Sequence, residues 1–309
     1  IFFFIGYTES LFALESWSLI FFIYKVLRSS DITFKSLKFN YFLILIFSIF
    51  IGLTRPVIVQ NIFALSVTLL IFYLISRTSN NSNNLNHKLI IISIMIILGN
   101  LFGYFIYGTI LIGEGYRFFE PFYSQLNWNK SFGIRPVYLF SSRSPLIDLW
   151  GFYYPIILFL ISVPDLSIFK FSRVREILYK NFPLSLIYTP VGFIYGICSS
   201  HKTKLTEYEK NHIMNIMNDS NISFIFFYCL LFSISHALIP FLTQVKQMTS
   251  VGRYVFGQPY FYIALSIFID RQGQYLFRRR KAFLIISLIL SSFYLLNHFI
   301  EFGNGNLLP

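Results

Sequence analysis

From Leu89 to Gly113 the chain runs 25 residues, LIIISIMIILGNLFGYFIYGTILIG, without one charged side chain. A stretch like this leaves few choices. About 20 apolar residues in a helix cross a ~30 Å hydrocarbon core, and a soluble helix normally keeps one polar face. Comparable runs recur along the chain, and the composition agrees. Charged residues make up 12% of the whole, about half the roughly 25% usual in soluble domains. The reading is an all-α polytopic membrane protein, which displaces the alternative of a buried soluble core.

Eight crossings are expected, at about 10–28, 39–54, 57–76, 88–111, 146–164, 222–243, 257–270 and 282–299. Together they make one transmembrane domain over 1–309, and the second and seventh crossings are short. LTRP, 53–56, reads as the loop between the second and third, because proline restricts the residue before it. If the chain starts outside, 18 of its 25 lysines and arginines fall on the inner side. That follows the positive-inside rule and explains the net charge of +12 without any nucleic acid. An outer loop is expected at about 113–145 and an inner one at about 165–221.

Within the inner loop, SLIYTPVGFIYGICSS at 185–200 is apolar enough for a ninth crossing. Such a crossing would carry the RRRK run at 278–281 outside. The segment therefore reads as interfacial or re-entrant, broken by Pro190 and Gly192. Cys198 and Cys229 lack metal-ligand spacing and read as packing residues. The chain opens on Ile1 inside an apolar stretch with no basic n-region, so a truncated N-terminus is expected.

The polar residues worth explaining collect at the ends expected outside. They are Tyr7, Thr8 and Glu9 ahead of the first crossing, and Thr54 and Arg55 between the second and third. The outer loop adds GEGYRFFEPFYSQLNWNKSFGIRP, 113–136, and QMTSVGRYVFGQPY follows at 247–260. Arg55 and Arg253 are fixed cations whose forked donors match phosphate oxygens. Glu9 is a carboxylate at a low-dielectric boundary, suited to acid or base work. Tyr116, Tyr123, Trp128 and Tyr254 offer flat faces for a sugar or for headgroup depth, and Gln125 and Asn129 suit sugar hydroxyls. Such a set fits transfer from a lipid-linked sugar.

Plainer roles stand beside these. Arginines at helix ends snorkel to headgroups, interfacial aromatics form belts, and Glu9 can favour a helix N-terminus. Glu15 differs, because nearly two turns into a crossing a carboxylate is costly unless it faces a cavity or a partner. Asp148 and His236 read as satisfied structural groups, and the sequon at Asn129 to Ser131 overlaps the candidate site and is discounted. There is no metal-ligand cluster, glycine-rich phosphate loop or nucleophile triad in the sequence. No cofactor is therefore identified, a divalent metal stays open, and nucleotide sugars are not expected as direct donors.

Four of these segments resemble one family in the order in which they occur. IFFFIGYTESLFALES, through Tyr7, Thr8, Glu9, Ser10, Leu11 and Phe12, GLTRP at 52–56, YSQLNWNKSFGIRP at 123–136 and QMTSVGRYVFGQPYFY are similar to motifs of the GPI mannosyltransferase 2 family (PIG-V) and its bacterial relatives. That family belongs to the GT-C class of membrane glycosyltransferases. In the third segment the family's glutamine-to-tryptophan spacing is one residue longer than Gln125 to Trp128.

The resemblance implies transfer of a hexose, usually mannose, from dolichyl or polyprenyl phosphate to a lipid-linked glycan, with inversion, at the lumenal or outer face. The membrane would be that of the endoplasmic reticulum or a bacterial cell. The partners would be the lipid-phosphate sugar, the glycan acceptor and membrane lipids. The substrate-binding residues would be Tyr7, Arg55, Gln125, Trp128, Asn129, Arg253 and Tyr254. In the GT-C class the main catalytic acid lies in the first outer loop, which would fall upstream of Ile1 and leave Glu9 a supporting candidate. Two other functions compete: a transporter or flippase for a lipid-linked sugar, and a non-catalytic subunit bracing a membrane partner. A carrier would need polar groups at mid-depth, where Glu15, Asn100 and His236 are the exceptions to apolar interiors.

Overall fold

A computed structural model describes residues 2–29, 34–78, 87–121, 146–162, 219–243 and 251–270, with single positions at 123 and 133. Every regular element among them is a helix. In chain order they are α1 Phe2–Arg28, α2 Phe34–Thr54, α3 Ile58–Thr78, α4 His87–Gly113, α5 Leu146–Ser162, α6 Ser220–Thr243, α7 Val251–Phe256 and α8 Pro259–Asp270. Four contain stretches long and apolar enough to cross a bilayer: Ser10–Arg28, Ile58–Ile75, His87–Gly113 and Ser220–Thr243. On that ground the chain is an integral membrane protein.

Seven of the eight expected crossings coincide with helices, but three of those have shorter apolar stretches, Lys38–Thr54, Asp148–Ser162 and Pro259–Asp270. The eighth expected crossing, 282–299, lies outside the described residues, as do the segment 185–200 and most of the two long loops. One boundary moves. Tyr7, Thr8 and Glu9 sit inside α1 rather than ahead of it, because the apolar run FFFI extends the helix upstream.

The order of contacts fixes the helix directions. The Phe22 ring of α1 stacks on Phe47 of α2 at 5.6 Å. The Lys88 ammonium at the start of α4 donates to the Ser29 carbonyl just past the end of α1, at 2.8 Å. Two passes, α2 and α3, separate those ends in sequence, as alternating crossings require. Lys25, Arg28 and Lys88 thereby gather at one end of the bundle, its basic end.

Side-chain exposure shows which faces meet lipid. Leu14, Trp17, Phe21 and Tyr24 lie three or four residues apart along α1 and are exposed, and Phe102 and Phe105 continue the surface on α4. The centre belongs to α6, where every residue from Ser223 to Ala237 is buried. A helix apolar on all sides belongs in the middle of a bundle. α3 packs along one side of it, and α5 and α7 along another.

The tightest joint is between α2 and α4, and the sequence reading did not single it out. Gly99 and Gly103 of GNLFG form a small-xxx-small pair, which lets membrane helices approach to backbone contact. A methyl group on Gly103 would run into the Ile49 carbonyl, and one on Gly52 would lie 2.5 Å from the Asn100 carbonyl oxygen. The end of α4 has its own sequence cause. Gly115 takes φ of +82°, a left-handed position that glycine adopts without strain. The Gly115 and Tyr116 amides then bond back to Ile112 and Leu111, and the chain returns along α4 until the Phe118 ring covers Gly108.

Candidate functional site

The site begins with a proline. Pro56 has no N–H to give and disfavours helix at Arg55. The Arg55 amide still reaches the Ile51 carbonyl at 3.1 Å, and the Val57 amide turns to Arg55 at 2.8 Å. α3 restarts with the Asn61 amide on the Val57 carbonyl at 3.0 Å. The reversal is tight, and it presses two polar residues against α1. The Thr54 hydroxyl lies 2.8 Å from Glu15 Oε2, and the Arg55 guanidinium stands over the Phe12 ring at 5.3 Å.

Two further helices close on the same place. Tyr260, second residue of α8, puts its ring 6.5 Å from Phe12, 3.9 Å from Phe232 and edge-on to Tyr228 at 5.9 Å. Its hydroxyl comes near Ser16, Tyr228 and Glu15, yet it makes no hydrogen bond of good geometry to any of them. The His236 ring packs on Phe232 at 4.6 Å and lies within electrostatic reach of Arg55. Glu15 is 5% exposed. One cluster thus contains a carboxylate, a guanidinium, an imidazole and two hydroxyls, drawn from α1, the α2–α3 turn, α6 and α8.

Its depth follows from the helix rise of about 1.5 Å per residue. Glu15 is 13 residues from Arg28, or about 20 Å above the basic end. Thr54 is 16 residues from Lys38, or about 24 Å. In a core of ~30 Å the cluster therefore lies in the far half, roughly 6–10 Å below the opposite interface. Arg55 lies in the α2–α3 turn and is half-buried. α4 continues 13 residues beyond Asn100, which is level with Gly52, so it rises about 20 Å past Gly52 and about 15 Å past the turn at Arg55. The cluster is a polar floor beside which α4 continues.

A second polar group lies beside it at the same depth. Tyr228 donates to Asn61 Oδ1 at 2.7 Å, the Asn61 amide to Asn100 Oδ1 at 3.1 Å, and the Asn100 amide to the Ile96 carbonyl at 2.9 Å. All three side chains are fully buried. They tie α3, α4 and α6 together. Farther along, Asp148 Oδ1 accepts the Gly252 amide at 2.7 Å, while Gly151 lies flat against Gly252. That joint holds α7, which carries Arg253 and the half-buried Tyr254, on α5.

Of the residues singled out from sequence, the fold brings Thr54 to Glu15 and sets Arg55 over Phe12, one turn along α1 from Glu15. Tyr7 and Glu9 sit on α1 eight and six residues above Glu15, about 12 and 9 Å along its axis. Arg253 is placed by its backbone on α7. Gln125, Trp128 and Asn129 lie outside the described residues. Sequence reasoning missed Tyr260 and Asn61, and it named Thr54 without a partner. Among the described residues no three His, Cys, Asp or Glu side chains gather as metal ligands would.

No family model, curated protein or solved structure matches the chain.

Proposed function

We propose that this chain is a membrane glycosyltransferase of GT-C type. It moves a hexose, on the motif resemblance a mannose, from a dolichyl or polyprenyl phosphate to a lipid-linked glycan. The reaction takes place at the face away from the basic end, in an endoplasmic reticulum or bacterial membrane, within a bundle of about eight crossings. The observation that carries the reading is one polar cluster in the far half of the membrane, in which Thr54 holds the buried Glu15 carboxyl and the next residue, Arg55, stands over Phe12 one turn along α1. A carboxylate and a fixed cation are costly there without a task. Lipid phosphates and sugar hydroxyls reach that level from the adjoining leaflet.

The chemistry needs few groups. Glu15 takes the proton of the acceptor hydroxyl as its oxygen bonds to the anomeric carbon. The bond from that carbon to the phosphate oxygen breaks on the opposite face, which inverts the centre. The electron pair leaves with the lipid phosphate, and Arg55 offsets the added negative charge. A positioned donor to developing charge in a water-poor site contributes roughly 10²- to 10³-fold in rate. Tyr7, Gln125, Trp128, Asn129, Arg253 and Tyr254 remain assigned to substrate binding on resemblance, and Glu9 remains a supporting catalytic candidate. The carrier reading gains no support from Asn61 and Asn100, which are buried and bond to each other.

The test is a transfer assay in reconstituted membranes, with radiolabelled mannosyl polyprenyl phosphate as donor and a lipid extract of the producing cell as acceptor. The intact chain should transfer label to lipid. Arg55→Ala and Glu15→Gln should each lose about 100-fold or more while still inserting and folding. Glu9→Ala in the same assay ranks the two carboxylates. Full activity in both the Arg55 and Glu15 variants would sink the site. No transfer by the intact chain, from either dolichyl or polyprenyl donors, would sink the reaction.

A further inference from the structure

We infer that Thr54 is a positioning residue whose hydroxyl holds the Glu15 carboxyl in one place whether or not that carboxyl carries a proton. The inference rests on the reading of Glu15 as the group that accepts a proton during transfer. Its basis is the geometry around one oxygen atom. Thr54 Oγ1 lies 2.8 Å from Glu15 Oε2, 3.1 Å from the Phe50 carbonyl oxygen and 3.2 Å from the Ile51 carbonyl oxygen. A hydroxyl has one proton to donate and two lone pairs with which to accept. Only one of these three contacts can use the proton at a time.

With Glu15 ionised, the hydroxyl donates to the carboxylate. With Glu15 protonated, the acid donates to Thr54 Oγ1, and the threonine proton turns to the Phe50 carbonyl four residues back, a bond that helical threonines often make. Every proton keeps an acceptor in both states, and no heavy atom has to move. The other buried hydroxyls of the bundle are arranged differently. Those of Ser16, Ser48, Thr68, Ser93 and Ser233 bond to their own i−4 carbonyls within one helix. Thr54 adds to that pattern a carboxylate on another helix.

The neighbours make such a two-way partner useful. Arg55 faces the cluster from the α2–α3 turn, Tyr260 from α8, and His236, Tyr228 and Cys229 from α6. Of these, Tyr228 gives its proton to Asn61, and Tyr260 makes no bond of good geometry to Glu15. A group that takes up and returns a proton must stay within hydrogen-bond reach of its substrate through both halves of the cycle. An unpartnered carboxyl at this depth would swing toward water when ionised.

Infrared difference spectroscopy of the full chain in membranes tests this without any sugar. The Glu15 bands are assigned by subtracting Glu15→Gln spectra, the acid carbonyl band at low pH and the carboxylate band at high pH. Thr54→Ser keeps the hydroxyl and should leave both bands in place, which also shows that the site still folds. Thr54→Val keeps the shape and should move both. A shift of the carboxylate band alone would overturn the inference, since Thr54 would then serve only the charged form. No shift in either band would overturn it as well. In the transfer assay Thr54→Val should lose about 10-fold with an altered pH profile, and Thr54→Ser should match the parent. If both bands move and transfer is unchanged, the two-way bond stands and the role of Glu15 in transfer falls.

Discussion

The bundle holds two polar clusters at one depth, and they are built on opposite plans. Asn61, Asn100 and Tyr228 are fully buried, neutral and bonded in series to a backbone carbonyl. Glu15, Thr54, Arg55, His236 and Tyr260 mix charges with hydroxyls, and the Tyr260 hydroxyl ends without a good partner. Both cost desolvation. In the first cluster each amide and hydroxyl recovers it through hydrogen bonds, so its product is helix association. In the second the Tyr260 hydroxyl recovers none. Under the proposed function, the comparison separates polar groups that hold helices together from polar groups that wait for chemistry.

The strongest attempt to break it exchanges the two roles by mutation. Arg55→Ala should lower transfer by about 100-fold or more, equal to about 2.7 kcal/mol of barrier, with little change in thermal unfolding in detergent. Asn61→Ala should do the reverse. It strands the Tyr228 hydroxyl and one edge of the Asn100 amide, for a loss of about 2 kcal/mol of stability. Transfer per folded molecule should stay within a few-fold of the parent. If Asn61→Ala instead removed transfer from a stable protein, the two clusters would be one site. The carrier reading would then regain its case.

Gly103→Ala probes whether the floor depends on the joint beneath it. The added methyl meets the Ile49 carbonyl, part of the α2 backbone five residues before Thr54. Overpacking of this kind costs about 1–3 kcal/mol. Because α2 carries Thr54 toward Glu15, its displacement should also weaken transfer by several-fold. Unfolding and transfer measured on the same preparation would show both losses. A loss of stability alone would mean that α2 yields without moving the turn.

Much of this layout could be read from the chain, and the failures have physical causes. The crossings are legible because apolar length is a one-dimensional signal: Leu89 to Gly113 could be little else. The LTRP turn is legible because proline acts locally. Glu15 stood out because a carboxylate inside a span is rare. Its partner was not legible, since Thr54 is one hydroxyl among many and the contact joins residues 39 apart. The offset between the ends of α2 and α4 was also hidden, since it is set by glycine contacts between helices rather than by the length of either one. Tyr260 drew no attention in the sequence, because its contacts with Phe12 and Phe232 exist only after α8 docks.

The smallest effect isolates the comparison in two tyrosines whose rings touch. Tyr228 and Tyr260 meet edge to face at 5.9 Å in one buried environment, yet only Tyr228 has a well-formed hydrogen bond, to Asn61. Tyr228→Phe deletes a donor that Asn61 uses, and should cost about 0.5–1 kcal/mol, the usual worth of a polar contact between membrane helices. Tyr260→Phe deletes a hydroxyl that gains nothing in the folded state, so stability should stay within about 0.5 kcal/mol of the parent. Transfer should show the opposite order: unchanged in Tyr228→Phe, and about 10-fold lower in Tyr260→Phe if that hydroxyl binds substrate beside Glu15. Both substitutions keep the ring, so packing cancels between them. Equal stability losses would mean that the Tyr260 hydroxyl is already satisfied, and the floor would then have one fewer group to offer a sugar.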